Sequence, residues 1–323
     1  MTGPRVTWDR GVHLPAWGLW ADPETVREVA LVSHAHSDHA RRHRLALMTP
    51  VTHALLPAAR RPRQAMLVAS GEEAQLRGAR IAVHDAGHIL GSAMFEISGE
   101  SASVLYSGDV KLRHPGGRPD TAIPAARVLV LESTYGLPQY RFPDADEVLA
   151  ALRSWCRSVL KQKAVPVLIA NALGKSQELM LALGPLEADF CLHPVTAAWT
   201  RGHEACGIRF PSWFELDGAP PGPCVAIVPP QGKRALGALS RYRSALVSGW
   251  ALDARMRWRL GGEVAFPLSD HCGFDELMEV ARRSGAERIY TVHGFTAELA
   301  SSLRRAGHAS APLRSLEQME LGL

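Results

Sequence analysis

An α/β fold in two domains is predicted by three observations. Up to about residue 135, short apolar runs (Val29–Val32, Arg80–Val83, Ala93–Ile97, Val104–Tyr106, Val128–Leu131) alternate with Gly, Pro and polar breaks. Runs this short between turn residues read as strands. From Asp144 to Lys163 the period changes. Val148, Leu149, Leu152, Trp155, Cys156, Val159 and Leu160 fall on one helical face, and Asp144 with Glu147 forms a capping box. Beyond this helix, strands at Val165–Ala170, Cys224–Val228 and Ala245–Ser248 alternate with a helix over Lys175–Leu183. That order is expected of an α/β unit with parallel strands. Gly218–Pro223 reads as a surface loop within it. The chain then returns to a strand at Glu263–Pro267, a helix opening near Asp275 and stopping at Gly285, and a strand at Arg288–Val292.

Bulk properties narrow the class. With 323 residues, 46% hydrophobic, the chain has the composition and length for two moderate globular domains. The net charge of +4 is carried almost wholly by arginine, whose planar fork suits phosphate, but mild basicity alone selects no partner. Five cysteines, Cys156, Cys191, Cys206, Cys224 and Cys272, are odd in number and lack CxxC spacing. They read as buried or free thiols of a reducing compartment and argue against a disulfide framework or a structural zinc knuckle. Met1–Trp20 has no signal-peptide pattern, and no run approaches the ~18 apolar residues of a membrane span. A cytoplasmic protein is expected.

The densest chemistry lies in His34-Ala35-His36-Ser37-Asp38-His39, directly after the apolar run Val29–Val32. Three imidazoles and a carboxylate in six residues supply the N/O ligands preferred by zinc and its neighbours. One short motif cannot saturate two ions, so further ligands are expected at other strand ends. His88 lies between glycines in Ala86-Gly87-His88-Ile89-Leu90-Gly91, Asp109 follows an apolar strand and Gly108, and His293 sits in Thr291-Val292-His293-Gly294. Taken singly, each reads more readily as a structural residue; the shared strand, ligand and glycine context groups them.

The set HxHxDH, a distant His, a distant Asp and a final His resembles the signature of the metallo-β-lactamase superfamily, in order along the whole chain. The resemblance implies an αββα sandwich and two divalent metal ions, zinc or manganese. It assigns His34, His36 and His88 to one ion, Asp38, His39 and His293 to the other, and Asp109 as a bridge. Two ions ~3.5–4 Å apart activate a shared water and steady both oxygens of a displacement.

Three further segments resemble the β-CASP branch, which acts on nucleic acids. These are Leu131-Glu132-Ser133-Thr134, Leu268-Ser269-Asp270-His271 and the α/β stretch between them. The resemblance implies a metallo-β-lactamase domain over 1–138 and 256–323, with a β-CASP domain inserted over 139–255. It places Glu132 and His271 near the scissile phosphate, with His271 as general acid or phosphate stabiliser and Asp38 among the catalytic groups. Ser133, Thr134 and Lys175 become candidate substrate contacts. Lys175 lies in Leu173-Gly174-Lys175-Ser176, which fails as a nucleotide P-loop because Ile169 stands where a glycine is required. A basic residue at a helix start can instead receive a backbone phosphate. Trp250 offers a ring for stacking or packing, and the clusters Arg41-Arg42-His43-Arg44 and Arg60-Arg61-Pro62-Arg63 offer phosphate steering or a solvated face.

In length and phrasing the chain is most similar to bacterial exonucleases called DNA-ligase-associated. DNA is thereby implied as substrate ahead of RNA, with no membrane partner and a DNA ligase or helicase as companion. Relatives often follow the Asp-His pair with a small residue and another Asp, whereas here Cys272-Gly273 follows. The competing expectations are an RNase of the same branch, a small-molecule metallo-hydrolase, and a non-catalytic nucleic-acid scaffold.

Overall fold

The computed structural model describes residues 5–99, 102–186, 188–218, 220 and 222–313. The chain is mixed α/β and divides into two compact units, Met1–Arg141 with His271–Leu323, and Phe142–Asp270. In the first unit one sheet has six strands in sequence order: Thr7–Trp8, Val12–Leu14, Leu19–Ala21, Val29–Leu31, Leu45–Met48 and Gln64–Leu67. The other has seven, ordered Ser310–Pro312, Arg288–Gly294, Val128–Ser133, Ala102–Tyr106, Ala93–Gly99, Ala79–Asp85 and Glu73–Leu76.

Side-chain alternation explains how the seven-stranded sheet is buried. Val104, Tyr106, Val128 and Val130 join a core with Leu14, Leu19, Leu31 and Leu47 of the six-stranded sheet. The intervening Leu105, Leu129 and Leu131 face the opposite way, onto Leu277, Val280 and Ala281 of the helix Phe274–Ser284 and Leu299 and Leu303 of the helix Thr296–Arg305. The first helix ends where Gly285 turns left-handed at φ +59°, as its sequence predicts.

Direction then places the functional residues. The strands ending at Tyr106, Ser133 and Gly294 run parallel. Ala79–Asp85 reaches the same sense through two antiparallel steps. The segments after Asp85 and Tyr106, which carry His88 and Asp109, and the last residues of the strands that hold Glu132 and His293 therefore lie at one end of the sheet.

The second unit is a parallel six-stranded sheet ordered Trp213–Glu215, Asp189–Leu192, Cys224–Val228, Val165–Ile169, Tyr242–Val247 and Val264–Phe266. Both its faces are covered, which accounts for its unbroken apolar runs. Val225, Ile227 and Leu168 pack with Leu149, Leu152 and Cys156 of the helix Ala145–Lys161; Cys224, Ala226 and Val167 pack on the other face with Leu236 and Leu239. Asp144 caps that helix, accepting from Asp146 N and Glu147 N.

The strand Val264–Phe266 pairs with Tyr242–Val247, so residues just beyond 256 still extend this sheet instead of returning the chain to the first unit. Of Gly218–Pro223, residues 219 and 221 lie outside the described residues, and the others form neither helix nor strand. No helix among the described residues is long and apolar enough to cross a membrane.

Candidate metal centre

The His34–His39 run begins three residues past the end of the strand Val29–Leu31, and close packing holds it against the Asp109 turn. Ser33 O accepts from Ala93 N at 2.8 Å. Gly108 has φ +53°, and a Cβ there would lie 2.7 Å from Ser33 Cβ, so this approach requires glycine. Gly294 is similarly confined: its Cβ would lie 2.5 Å from Ser133 O. His293, just before it, holds φ +55°, a conformation uncommon for a non-glycine residue.

One atom each of His34, His36, His88 and Asp109 lies within 4.8 Å of all the others. His34 Nε2 and His36 Nδ1 are 3.0 Å apart, and His88 Nε2 is 3.2 Å from His36 Nδ1. Asp109 Oδ2 stands 3.4 Å from both His34 Nε2 and His39 Nε2, and 3.7 Å from His88 Nε2. Donors sharing an ion at about 2.1 Å are separated by roughly 3.0–3.4 Å at octahedral to tetrahedral angles. The spacing and the imidazole–carboxylate chemistry fit a divalent cation, and the cluster can hold one. Asp38 and His293 stand further out. Asp38 Oδ2 is 3.7 Å from His39 Nε2 with its side chain 79% exposed, and the His293 and His39 rings are 5.2 Å apart.

Asp22, not singled out from the sequence, organises this cluster. Its Oδ2 accepts from Ser33 Oγ, from His39 Nδ1 at 2.8 Å and from Tyr106 OH at 2.9 Å, while Oδ1 accepts from Ser33 N at 2.8 Å. His34 Nδ1 donates to Ser33 Oγ at 2.8 Å. Both imidazoles thus turn Nε2 toward Asp109. A buried carboxylate behind a ligating imidazole fixes its tautomer and raises its basicity. The available signal was a carboxylate directly after a strand, but Leu19–Ala21 is only three residues long and reads poorly as one. Asp22→Asn should weaken divalent-metal affinity about 10–100-fold, measured by competition with a chelating dye. Unchanged affinity would remove Asp22 from the centre.

Electrostatics match the donor set. Burial drives His34 well below its ordinary range, aided by the surrounding imidazoles, and burial likewise lowers His293. For His39 burial acts downward, yet Asp109, Asp22 and Asp38 outweigh it and raise the imidazole to about 10. In the ion-free protein a protonated His39 therefore offsets carboxylates that a cation would otherwise neutralise. Because this pKa exceeds the unfolded value of about 6.5, the stabilisation is complete below that pH and is lost as pH rises through about 10. Metal-free protein should melt at lower temperature at pH ~10 than at pH ~7, and His39→Gln should flatten that difference in calorimetry. Equal slopes for the two proteins would refute the assignment.

Glu132 and His271 meet beside this cluster. His271 Nδ1 lies 3.1 Å from each Glu132 oxygen, and Glu132 Oε1 also accepts from Val110 N at 2.7 Å. Against burial, which acts upward, His271, Thr134 and the Val110 amide hold the Glu132 carboxyl below its usual range. Asp109, Glu132 and His271 each place an atom within 4.8 Å of the other two, and the His271 and His88 rings are 4.4 Å apart. Cys272 is buried, and its amide donates to Val110 O. Gly273 occupies the helix N-cap with its amide held by Glu276 Oε2 at 3.0 Å and makes no side-chain cap bond to the first turn.

The candidate substrate contacts fall differently. Ser133 is buried and its hydroxyl donates to Val292 O and His293 O, locking two strands at the His293 turn. Thr134 bonds Glu132. Lys175 lies in the second unit, buried and ion-paired with Glu178 at 2.5 Å. Arg41 and Arg60, from the two arginine clusters, donate to Ser37 O and Ala40 O, bracing the backbone of the histidine run.

This chain is 36% identical to a protein from Opitutus terrae named as a probable DNA ligase, over 98% of this chain and 32% of that one. Over 36% of the chain it is 29% identical to the RNase aCSPSF2 of Saccharolobus solfataricus, covering 24% of it. Over 35% it is 32% identical to the cleavage and polyadenylation specificity factor 73 of Drosophila melanogaster, covering 16% of it. The chain thus spans about a third of the first relative and less of the others. No family model matches. A crystal structure of an Enterococcus faecalis protein of unknown function superposes with a TM-score of 0.58 at 12% identity, covering 89% of this chain and 79% of that one. Fold and cluster together describe a mixed α/β protein with a histidine–aspartate cluster able to hold a metal ion. These relatives are consistent with a member of the β-CASP branch of the metallo-β-lactamase superfamily.

Proposed function

We propose that the chain is a two-metal phosphodiesterase acting on nucleic acid, a DNA exonuclease of repair or end processing. Its first unit is read as the αββα sandwich and its second as the inserted β-CASP domain. The observation that carries the reading is the pairing of His271 with the buried Glu132, set against the His34, His36, His88 and Asp109 cluster. A metallo-hydrolase needs a cation site; a phosphodiesterase also gains from a placed proton donor beside it.

His34, His36 and His88 would hold one ion, Asp38, His39 and His293 the other, with Asp109 between them. A zinc or manganese pair so held supplies charge neutralisation and an activated water. His271 directs Nδ1–H at Glu132, which leaves Nε2 to carry a proton to the leaving oxygen. Glu132, held ionised, favours that protonated imidazole and fixes its plane. Asp38, open to solvent, stands where it can meet substrate or attacking water.

DNA is favoured because the relative matched along 98% of the chain is named as a probable DNA ligase, and that name makes a DNA ligase the expected companion. The joining reaction itself is not carried over, since two thirds of that relative lies outside the match. The partial relatives with RNA-processing names support the second reading, an RNase. The test incubates purified protein and Zn²⁺ or Mn²⁺ with single- and double-stranded DNA and RNA, labelled separately at each end, beside Asp38→Ala. Absence of cleavage of every polymer would sink the reading. RNA cut in preference to DNA would transfer it to the RNase.

A further inference from the structure

The stretch from Pro229 to Glu263 in the second unit carries seven Lys and Arg against two carboxylates, a net of +5 in a chain whose whole charge is +4. Both carboxylates are engaged: Asp253 accepts from Arg255 N and Met256 N, and Glu263 pairs with Arg243. Asp253 thereby caps the short helix Ala254–Leu260, and Lys233 donates to Leu260 O at its far end. A helix pinned at both ends presents Arg255, Trp258 and Arg259 on one face, because residues three and four apart are neighbours. All three are exposed, Trp258 to 88%. Trp250, by contrast, is half-buried.

An indole left this open gains nothing from the core, and its arginine neighbours suit a polyanion better than an apolar partner. Unpaired bases supply the π-faces that such a ring stacks on, and their phosphates supply the negative charge. Paired bases keep those faces covered inside the duplex. We infer that the Arg255–Trp258–Arg259 face binds single-stranded DNA, with Trp258 stacked on a base and the two guanidiniums on flanking phosphates. The inference rests on the nucleic-acid reading above and adds to it a strand-holding surface outside the metal cluster.

The test is fluorescence anisotropy of the full chain with a labelled oligothymidylate, over times too short for cleavage, beside its duplex and an oligouridylate. Trp258→Ala should weaken binding to the single-stranded DNA about tenfold, while Trp258→Phe, which keeps a stacking ring, should stay within about threefold. Duplex binding should not change with Trp258→Ala. The double variant Arg255→Gln, Arg259→Gln should lower the slope of log affinity against log salt by about 1.4. Each variant should melt as the wild type does, since these side chains are exposed.

If Trp258→Ala binds as tightly as a wild type that cleaves DNA, the inference fails and the nuclease reading stands. A wild type that neither binds nor cleaves any polymer overturns the nuclease reading itself. Binding of oligouridylate without oligothymidylate overturns DNA as the occupant. If sedimentation shows self-association that Trp258→Ala abolishes, with DNA binding untouched, the face serves a second copy of this chain and the inference is overturned.

Discussion

Asp109→Asn should lower divalent-metal content from about two ions per chain to one or fewer, and cut phosphodiester hydrolysis by about 10²–10³-fold or more. Asn keeps the shape of the side chain and removes its charge. Asp109 Oδ2 faces His34 Nε2, His39 Nε2 and His88 Nε2 within 3.7 Å, so it is the carboxylate toward which the imidazole donors converge. Its loss leaves those nitrogens facing one another with less negative charge to attract a cation. The same change removes the leading opposite charge that raises His39, so the imidazole should titrate lower in the ion-free variant. Metal is measured by elemental analysis after dialysis and activity with end-labelled DNA. Full metal content together with full activity would overturn the centre as drawn.

His271→Ala should slow DNA hydrolysis about 10²–10⁴-fold, the range for removal of a placed general acid, without loss of bound metal. Leaving groups separate this role from a structural one. From a p-nitrophenyl phosphodiester the p-nitrophenolate leaves as a stable anion without a proton, so the same variant should hydrolyse that substrate at a rate close to wild type. An equal defect on both substrates would make His271 a positioning residue, and no defect on DNA would remove it from the reaction. The geometry favours the acid role: Glu132 holds Nδ1 from two oxygens at 3.1 Å and is itself fixed by the Val110 amide. The imidazole side chain is 15% exposed, enough to reach a bound polymer while remaining oriented.

The elements with strong periodicity were legible in the sequence. The helix expected over 144–163 runs Ala145–Lys161 and starts from its Asp144 cap, and the helix expected to stop at Gly285 does so. Elements of three or four residues were not. Leu19–Ala21 and Gln64–Leu67 carry too little period to read, and they become strands because neighbouring strands complete their hydrogen bonds. Lys175 shows the limit for side chains: a lysine after glycine at a helix start promised an exposed cation, whereas the fold buries it against Glu178. The arginines beside the histidine run had the chemistry of phosphate ligands, but nearby carbonyls of the loop claim two of them first.

By itself the sequence determined the donor chemistry, since the residue types at His34, His36, Asp38, His39, His88, Asp109 and His293 are N/O ligands whatever the fold. Their common setting at strand ends is also local, because each strand is written in a few adjacent residues. Only the tertiary structure decided which donors share a point. His34, His36, His88 and Asp109 close up within 4.8 Å while Asp38 stands open, a difference set by sheet order and by the approach that Gly108 permits. Nor could sequence assign Asp22 to His39, 17 residues away, and it joined Glu132 to His271, 139 away, only through the family resemblance. Such pairings depend on which strands lie side by side, a property of long-range packing that no local pattern encodes.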